Sequence, residues 1–131
     1  MKYFTLKDLT DSHTAQRLGI DNTPSEEVVK NLNILVETIL DPLREAWQKP
    51  IMVNSGYRCP TLNNAVGGVC TSQHLKGKAA DITAGSPIDN RKLWKIIIDR
   101  KLPFDQLIGE RDMRWIHISW APKPRGQTLH L

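Results

Sequence analysis

Two short stretches of alternating character constrain this chain most: Ala79-Ala80-Asp81-Ile82-Thr83 and Trp115-Ile116-His117-Ile118-Ser119. Successive side chains of a strand point to opposite faces. Ala80 and Ile82 therefore share one face, and Ala79, Asp81 and Thr83 the other. The same alternation places Ile116 and Ile118 in a core and leaves His117 on the polar face. As neighbouring strands, the two segments present Asp81 and His117 side by side. Six residues separate His74 from Asp81, enough for a loop pivoting at Gly77 that brings His74 to the same place. Two imidazoles and one carboxylate form a ligand set that suits zinc. Such a set leaves a fourth position open for water, which distinguishes a catalytic zinc site from a closed structural one.

The rest of the chain reads as scaffold for that pair of strands. Asn22-Thr23-Pro24-Ser25-Glu26 has the grammar of a helix start, with Thr23 as N-cap, Pro24 as first helical residue and Glu26 as reciprocal partner of a capping box. Val28, Val29, Leu32, Leu35, Val36, Ile39, Leu40, Leu43 and Trp47 follow the helical period. Pro42 should kink this helix or split off its last turns. Ile51 to Ser55 reads as a buried strand ending at Gly56, and Tyr57 to Thr71 as a loop with one helical turn. Ser86-Pro87-Ile88-Asp89 repeats the helix-start grammar ahead of Leu93, Trp94, Ile97 and Ile98, and Pro103 closes that segment. Phe104 to Ile108 and Arg114 to Trp120 supply two more strands. Met1 to Ile20 reads as polar and irregular, and Ala121 to Leu131 as an extended or mobile tail. The expectation is one domain over residues 1–131 with its core at about 26–120. Its class is α+β, helices packed on one side of a small antiparallel sheet.

A chain of 131 residues can bury about two-thirds of its unfolded surface. No apolar run approaches the roughly 18 residues that span a bilayer, and the first residues lack the apolar core of a signal peptide. The expectation is synthesis in the cytoplasm without membrane insertion, with action elsewhere only after release by another factor. The net charge of +4 suits a polyanionic partner such as nucleic acid, an acidic wall polymer or anionic lipid. The basic residues are scattered, however, and no basic stripe interleaved with aromatics appears, so no nucleic-acid partner is expected. Cys59 and Cys70 can bridge or stay as free thiols, with reduced thiols the default. No Cys-x-x-Cys pair is present to ligate a metal. His13 and His130 lie in terminal segments and read as surface residues.

Ser55-Gly56-Tyr57-Arg58, then Ser72-x-His74-x-x-Gly77-x-Ala79-x-Asp81, then Trp115-x-His117-x-Ser119 resemble in order and spacing the zinc D-alanyl-D-alanine carboxypeptidase family. That family includes phage endolysin peptidases and D-Ala-D-Ala dipeptidases, and shares its fold with the hedgehog signalling domain. The resemblance covers roughly Glu26 to Trp120. It implies one zinc held by His74, Asp81 and His117. It implies that Arg58 binds substrate and polarises the scissile carbonyl, with substrate contacts also from Tyr57, Ser72 and Gln73. Ser72 and Gln73 have a plainer reading as cap and turn residues. Many relatives carry an acidic general base three positions before the last histidine, where this chain has Arg114, which cannot take a proton at neutral pH. Glu110, just after Asp105-Gln106-Leu107-Ile108, is the favoured base and Asp112 the second candidate.

The function this implies is zinc-dependent hydrolysis of peptide bonds in bacterial peptidoglycan next to a D-amino acid, by a monomer of the kind phages release. The alternative is a non-catalytic zinc-containing binding module on the same fold, supported by Arg114. A nucleic-acid-associated protein is a distant third.

Overall fold

The apolar helical stripe and the alternating strands meet in a computed structural model that describes residues 1–131. The long helix begins at Glu26 (α3, Glu26–Leu35), passes through a wider turn at Val36–Leu40 and continues as α4 (Asp41–Trp47). Its N-cap is Ser25, not Thr23: the Ser25 hydroxyl accepts from the Val28 N–H at 3.2 Å. The Thr23 hydroxyl instead donates to Asp21 Oδ1 at 2.6 Å. With the cap at Ser25, Glu26 and Glu27 fall in the first turn beside the positive helix end. Pro42 has no N–H for the usual bond four residues back. The helix absorbs this by widening, and the Asp41 N–H bonds the Val36 carbonyl five residues back.

Two short helices precede this element where irregular chain was expected. In α1 (Leu6–Thr10), Thr5 and Asp8 form a reciprocal capping box. In α2 (His13–Leu18), Ser12 caps the start and Gly19, at φ 67°, ends it. The strands follow as β1 (Met52–Ser55), β2 (Ala79–Thr83), β3 (Gln106–Glu110), β4 (Trp115–Ser119) and β5 (Gln127–His130). Between them lie α5 (Pro60–Ala65), a 3-10 turn at Gln73–Lys76, and α6 (Pro87–Asp99), capped by Ser86 as its sequence grammar requires.

The five strands are ordered β1-β2-β4-β3-β5. The first four pair antiparallel, and β5 adds a parallel edge beside β3. The tail is thus a paired strand as well as an extended segment. β1 is an outer strand, with Met52 at 55% exposure, so it is not the buried strand expected. Ala80, Ile82, Leu107, Ile116 and Ile118 turn one face of the sheet toward Leu32, Leu35, Ile39, Leu43, Leu93 and Ile97, which builds the core. The opposite face is left for polar chemistry. No helix is long and apolar enough to cross a membrane.

Candidate metal centre

Register builds the site. Asp81 pairs with His117 across β2 and β4, with Ser55 of β1 on one side of them and Ile108 of β3 on the other. One row across the polar face therefore carries both the carboxylate and an imidazole. His74 arrives from the 3-10 turn, where the Ser72 hydroxyl accepts from the His74 N–H at 3.2 Å. Gly77 closes that turn at φ 72°, and a Cβ there would lie 2.9 Å from the Val28 carbonyl oxygen on α3. Only glycine satisfies both the left-handed backbone and the contact.

His74 Nε2 lies 3.2 Å and His117 Nδ1 3.1 Å from Asp81 Oδ1. All three ligand atoms fall within 4.8 Å of one another. His74 Nδ1 is 2.7 Å from the Gly56 carbonyl oxygen. A carbonyl only accepts, so Nδ1 carries the ring proton and the neutral ring turns the bare Nε2 lone pair toward a carboxylate. Two acceptors facing each other at that distance call for a cation between them. This donor set fits zinc, with an outer hydrogen bond already orienting the first histidine. Burial of Asp81 opposes its ionisation. The two imidazoles override burial and hold its carboxyl well below the ordinary range.

Gly56 explains why the Ser-Gly-Tyr-Arg segment adjoins this centre. A Cβ on Gly56 would stand 2.2 Å from the Leu9 carbonyl oxygen, and that same oxygen accepts from the Tyr57 N–H at 2.7 Å. Helix α1 thus presses against the loop whose carbonyl sets the His74 tautomer. Arg58 follows, its N–H donating to the His74 carbonyl at 3.1 Å. Its guanidinium donates through Nη1 to Asn63 Oδ1 at 3.2 Å and holds Nη2 4.0 Å from Asp81 Oδ2. Its Nε is buried without a partner. Burial lowers the Arg58 pKa and Asp81 opposes the shift. The group stays charged regardless, because an arginine is not deprotonated in a protein.

An open cleft of about 610 Å3 lies over the cluster and brings together Arg58, Ser72, Gln73, His74, Asp81, Glu110 and His117, with Trp115 on its wall. Glu110 shares the face of Ile108, whose partner across the ladder is His117. Tyr57 lines an adjoining hollow that shares Arg58 and Asp81 with the cleft. Ser72 and Gln73 also serve the frame, as cap of the 3-10 turn and as donor from Nε2 to Asp105 Oδ2 at 2.9 Å.

Asp112 is not brought to the centre. Arg111, Asp112 and Met113 all adopt positive φ (44°, 56° and 65°). Asn90 Nδ2 ties this turn down by donating to the Met113 and Arg114 carbonyls at 2.8 and 3.1 Å. Asp112 consequently lines a different hollow with Arg91, Trp94 and His130. Arg114 lines a surface hollow with Arg111 and Asp112, away from the metal-facing cleft. Of the two acids weighed as base, Glu110 alone stands in the cleft, and Arg114 does not occupy the place of a base within it.

Several residues that shape the site lie outside the motifs. Asp105 is 2% exposed and receives Arg125 through its backbone N–H (2.9 Å), Nε (3.0 Å) and Nη2 (2.7 Å). These bonds, led by the Arg125 side chain, hold the Asp105 carboxyl down at about 2 against the opposing effect of burial. Arg125 thereby pins the tail along the cleft rim. Asn63, 3% exposed, donates to the Val69 carbonyl at 2.9 Å while holding Arg58. The sulfur of Cys59 caps α5 and Cys70 is free.

A helix-backed sheet whose polar face gathers two histidines and one carboxylate in an open cleft defines the site of a single-metal hydrolase. The chain belongs to the Peptidase M15 family, whose sequence pattern matches residues 2–119. It is also 50% identical over 48 residues to the zinc D-Ala-D-Ala carboxypeptidase of Streptomyces albus G, a stretch covering 36% of this chain and 19% of that relative. The matched stretch thus spans about a fifth of the relative's length.

Proposed function

We propose that this chain is a zinc-dependent peptidase that hydrolyses peptide bonds of bacterial peptidoglycan next to a D-amino acid. The observation that carries the reading is the convergence of His74 Nε2 and His117 Nδ1 on Asp81, with Gly56 leaving the His74 lone pair bare. His74, Asp81 and His117 would hold one zinc. Bound there, zinc supplies the Lewis acidity that polarises a carbonyl and activates water near neutral pH. Family membership and the name of the Streptomyces albus G relative support the choice of metal and of a D-amino-acid bond.

The chain's own residues supply the rest. Glu110 takes the proton from the attacking water, whose oxygen bonds the carbonyl carbon, and returns that proton to the departing amine. Arg58 points a fork of N–H donors at the cleft, where the carbonyl oxygen gains charge. Its bond to Asn63 fixes the fork before substrate arrives. Tyr57, Ser72 and Gln73 would contact the bound peptide along the cleft walls. A single domain over residues 1–131 acts as a monomer, made in the cytoplasm and brought to the wall by phage-type release. Its charge of +4 favours approach to an anionic wall.

The test is muropeptide release from purified peptidoglycan by zinc-loaded protein, beside EDTA-treated, His117→Ala and Glu110→Gln samples. New amino termini that vanish on chelation and in His117→Ala support the reading. No release across several wall chemistries, with one zinc bound per chain, overturns it in favour of a binding module.

A further inference from the structure

The cleft over the cluster does not end at Arg58 and Asp81. A second hollow of about 320 Å3 begins at those residues and runs past Asn54 to His13. A third, of about 500 Å3, continues from Asn54 and His13 between α1 and β1 as far as Tyr3 and Met52. The three form one trough, and the metal cluster lies part-way along it.

The strand bordering this trough is β1, the outer strand of the sheet. No main-chain group of Met52 to Ser55 hydrogen-bonds outside the ladder with β2. An edge strand offers every second N–H and C=O to an extended chain laid against it. Ser55 at its end is the ladder partner of Asp81, so the free edge leads straight to the ligand row.

Neither end is equipped to read a chain terminus. Arg58, which can hold a carboxylate, stands at the junction of the hollows. Arg125, at the far rim, already commits two side-chain N–H groups to Asp105. The β1 end carries Asp8 and Asp11, which repel a carboxylate. We infer that this chain cuts interior bonds of an extended peptide, with several substrate residues along the free edge of β1 on one side of the scissile bond and several in the metal cleft on the other. The inference rests on the peptidase reading above and adds the substrate class. Water's hydroxyl joins the carbonyl carbon and its proton the amine, so the products are two peptides and not a peptide plus one amino acid.

Two synthetic peptides with the same D-amino-acid bond test it on the zinc-loaded full chain, followed by mass spectrometry. One has four residues on each side of the bond, and the other stops one residue after it. The longer peptide is expected to show kcat/KM about tenfold higher or more, the return on a few added main-chain hydrogen bonds. His13→Trp, which fills the β1 arm, should bring that ratio toward one. In Glu110→Gln protein the long peptide should slow amide exchange at Met52 to Ser55. Release of a single terminal residue from both peptides at comparable kcat/KM, or unchanged β1 exchange, overturns this inference alone. Cleavage of neither peptide overturns the peptidase reading and this inference with it.

Discussion

Asp105→Asn tests how the tail secures the site, because one oxygen is replaced by a donor amid four donors. An asparagine can keep its carbonyl toward the Arg125 backbone N–H and Nε. Its amide then confronts Arg125 Nη2 and Gln73 Nε2, which stand 2.7 and 2.9 Å from Asp105 Oδ2. Hydrogen bonds to a charged group contribute about 1.5–3 kcal/mol when buried. Arg125 is 56% exposed, so screening reduces its share toward about 1 kcal/mol. The sum is a loss of about 2–3 kcal/mol, or about 6–15 °C in Tm for a domain of this size. The effect must also depend on pH. Asp105 is held at about 2, below its ordinary 3.8, so its stabilisation is present above pH ~4 and is lost as pH falls through the window from ~4 to ~2. Urea unfolding of wild type and Asp105→Asn at pH 7 and pH 3 should show the gap narrowing at pH 3. A Tm shift under about 2 °C at pH 7, or a gap as wide at pH 3 as at pH 7, refutes the reasoning.

Glu110→Gln should lower kcat by about 100- to 10,000-fold while zinc content stays at one per chain, checked by turnover beside metal analysis. Asn63→Ala removes the acceptor that holds Arg58; kcat/KM should fall about tenfold with metal affinity unchanged, as titration against a competing chelator would show. Gly77→Ala forces a side chain into φ 72° and against Val28, at a cost of about 2–4 kcal/mol in urea unfolding, with weakened zinc binding because His74 rides on that turn.

The ligand row was legible in the sequence because its determinants are local. Alternation over five residues settles the faces of Asp81 and His117, and residue chemistry does the rest. The Ser86 cap was legible for the same reason. Thr23 and Ser25 both make good caps two residues apart, and sequence grammar chose the wrong one. Helices α1 and α2 are too short for a hydrophobic period to register, although Thr5-x-x-Asp8 and Ser12 with Gly19 are their cap signals. Glu110 and Asp112 were separable in principle. Glu110 shares the parity of Ile108 within one strand, whereas Asp112 falls in a left-handed turn that Asn90 secures from a distant helix. The grip of Asp105 on Arg125, and the press of Leu9 on Gly56, join segments far apart in the chain. No local pattern announces them, and they complete the frame around the metal centre.

The most direct test of the account is zinc titration against a competing chelator for wild type, His74→Ala, Asp81→Ala and His117→Ala. The account predicts one tight site in wild type and a loss of more than about 100-fold in each variant, beyond the 10- to 100-fold that removal of an outer hydrogen-bond partner costs. Wild-type affinity retained in any of the three would contradict it.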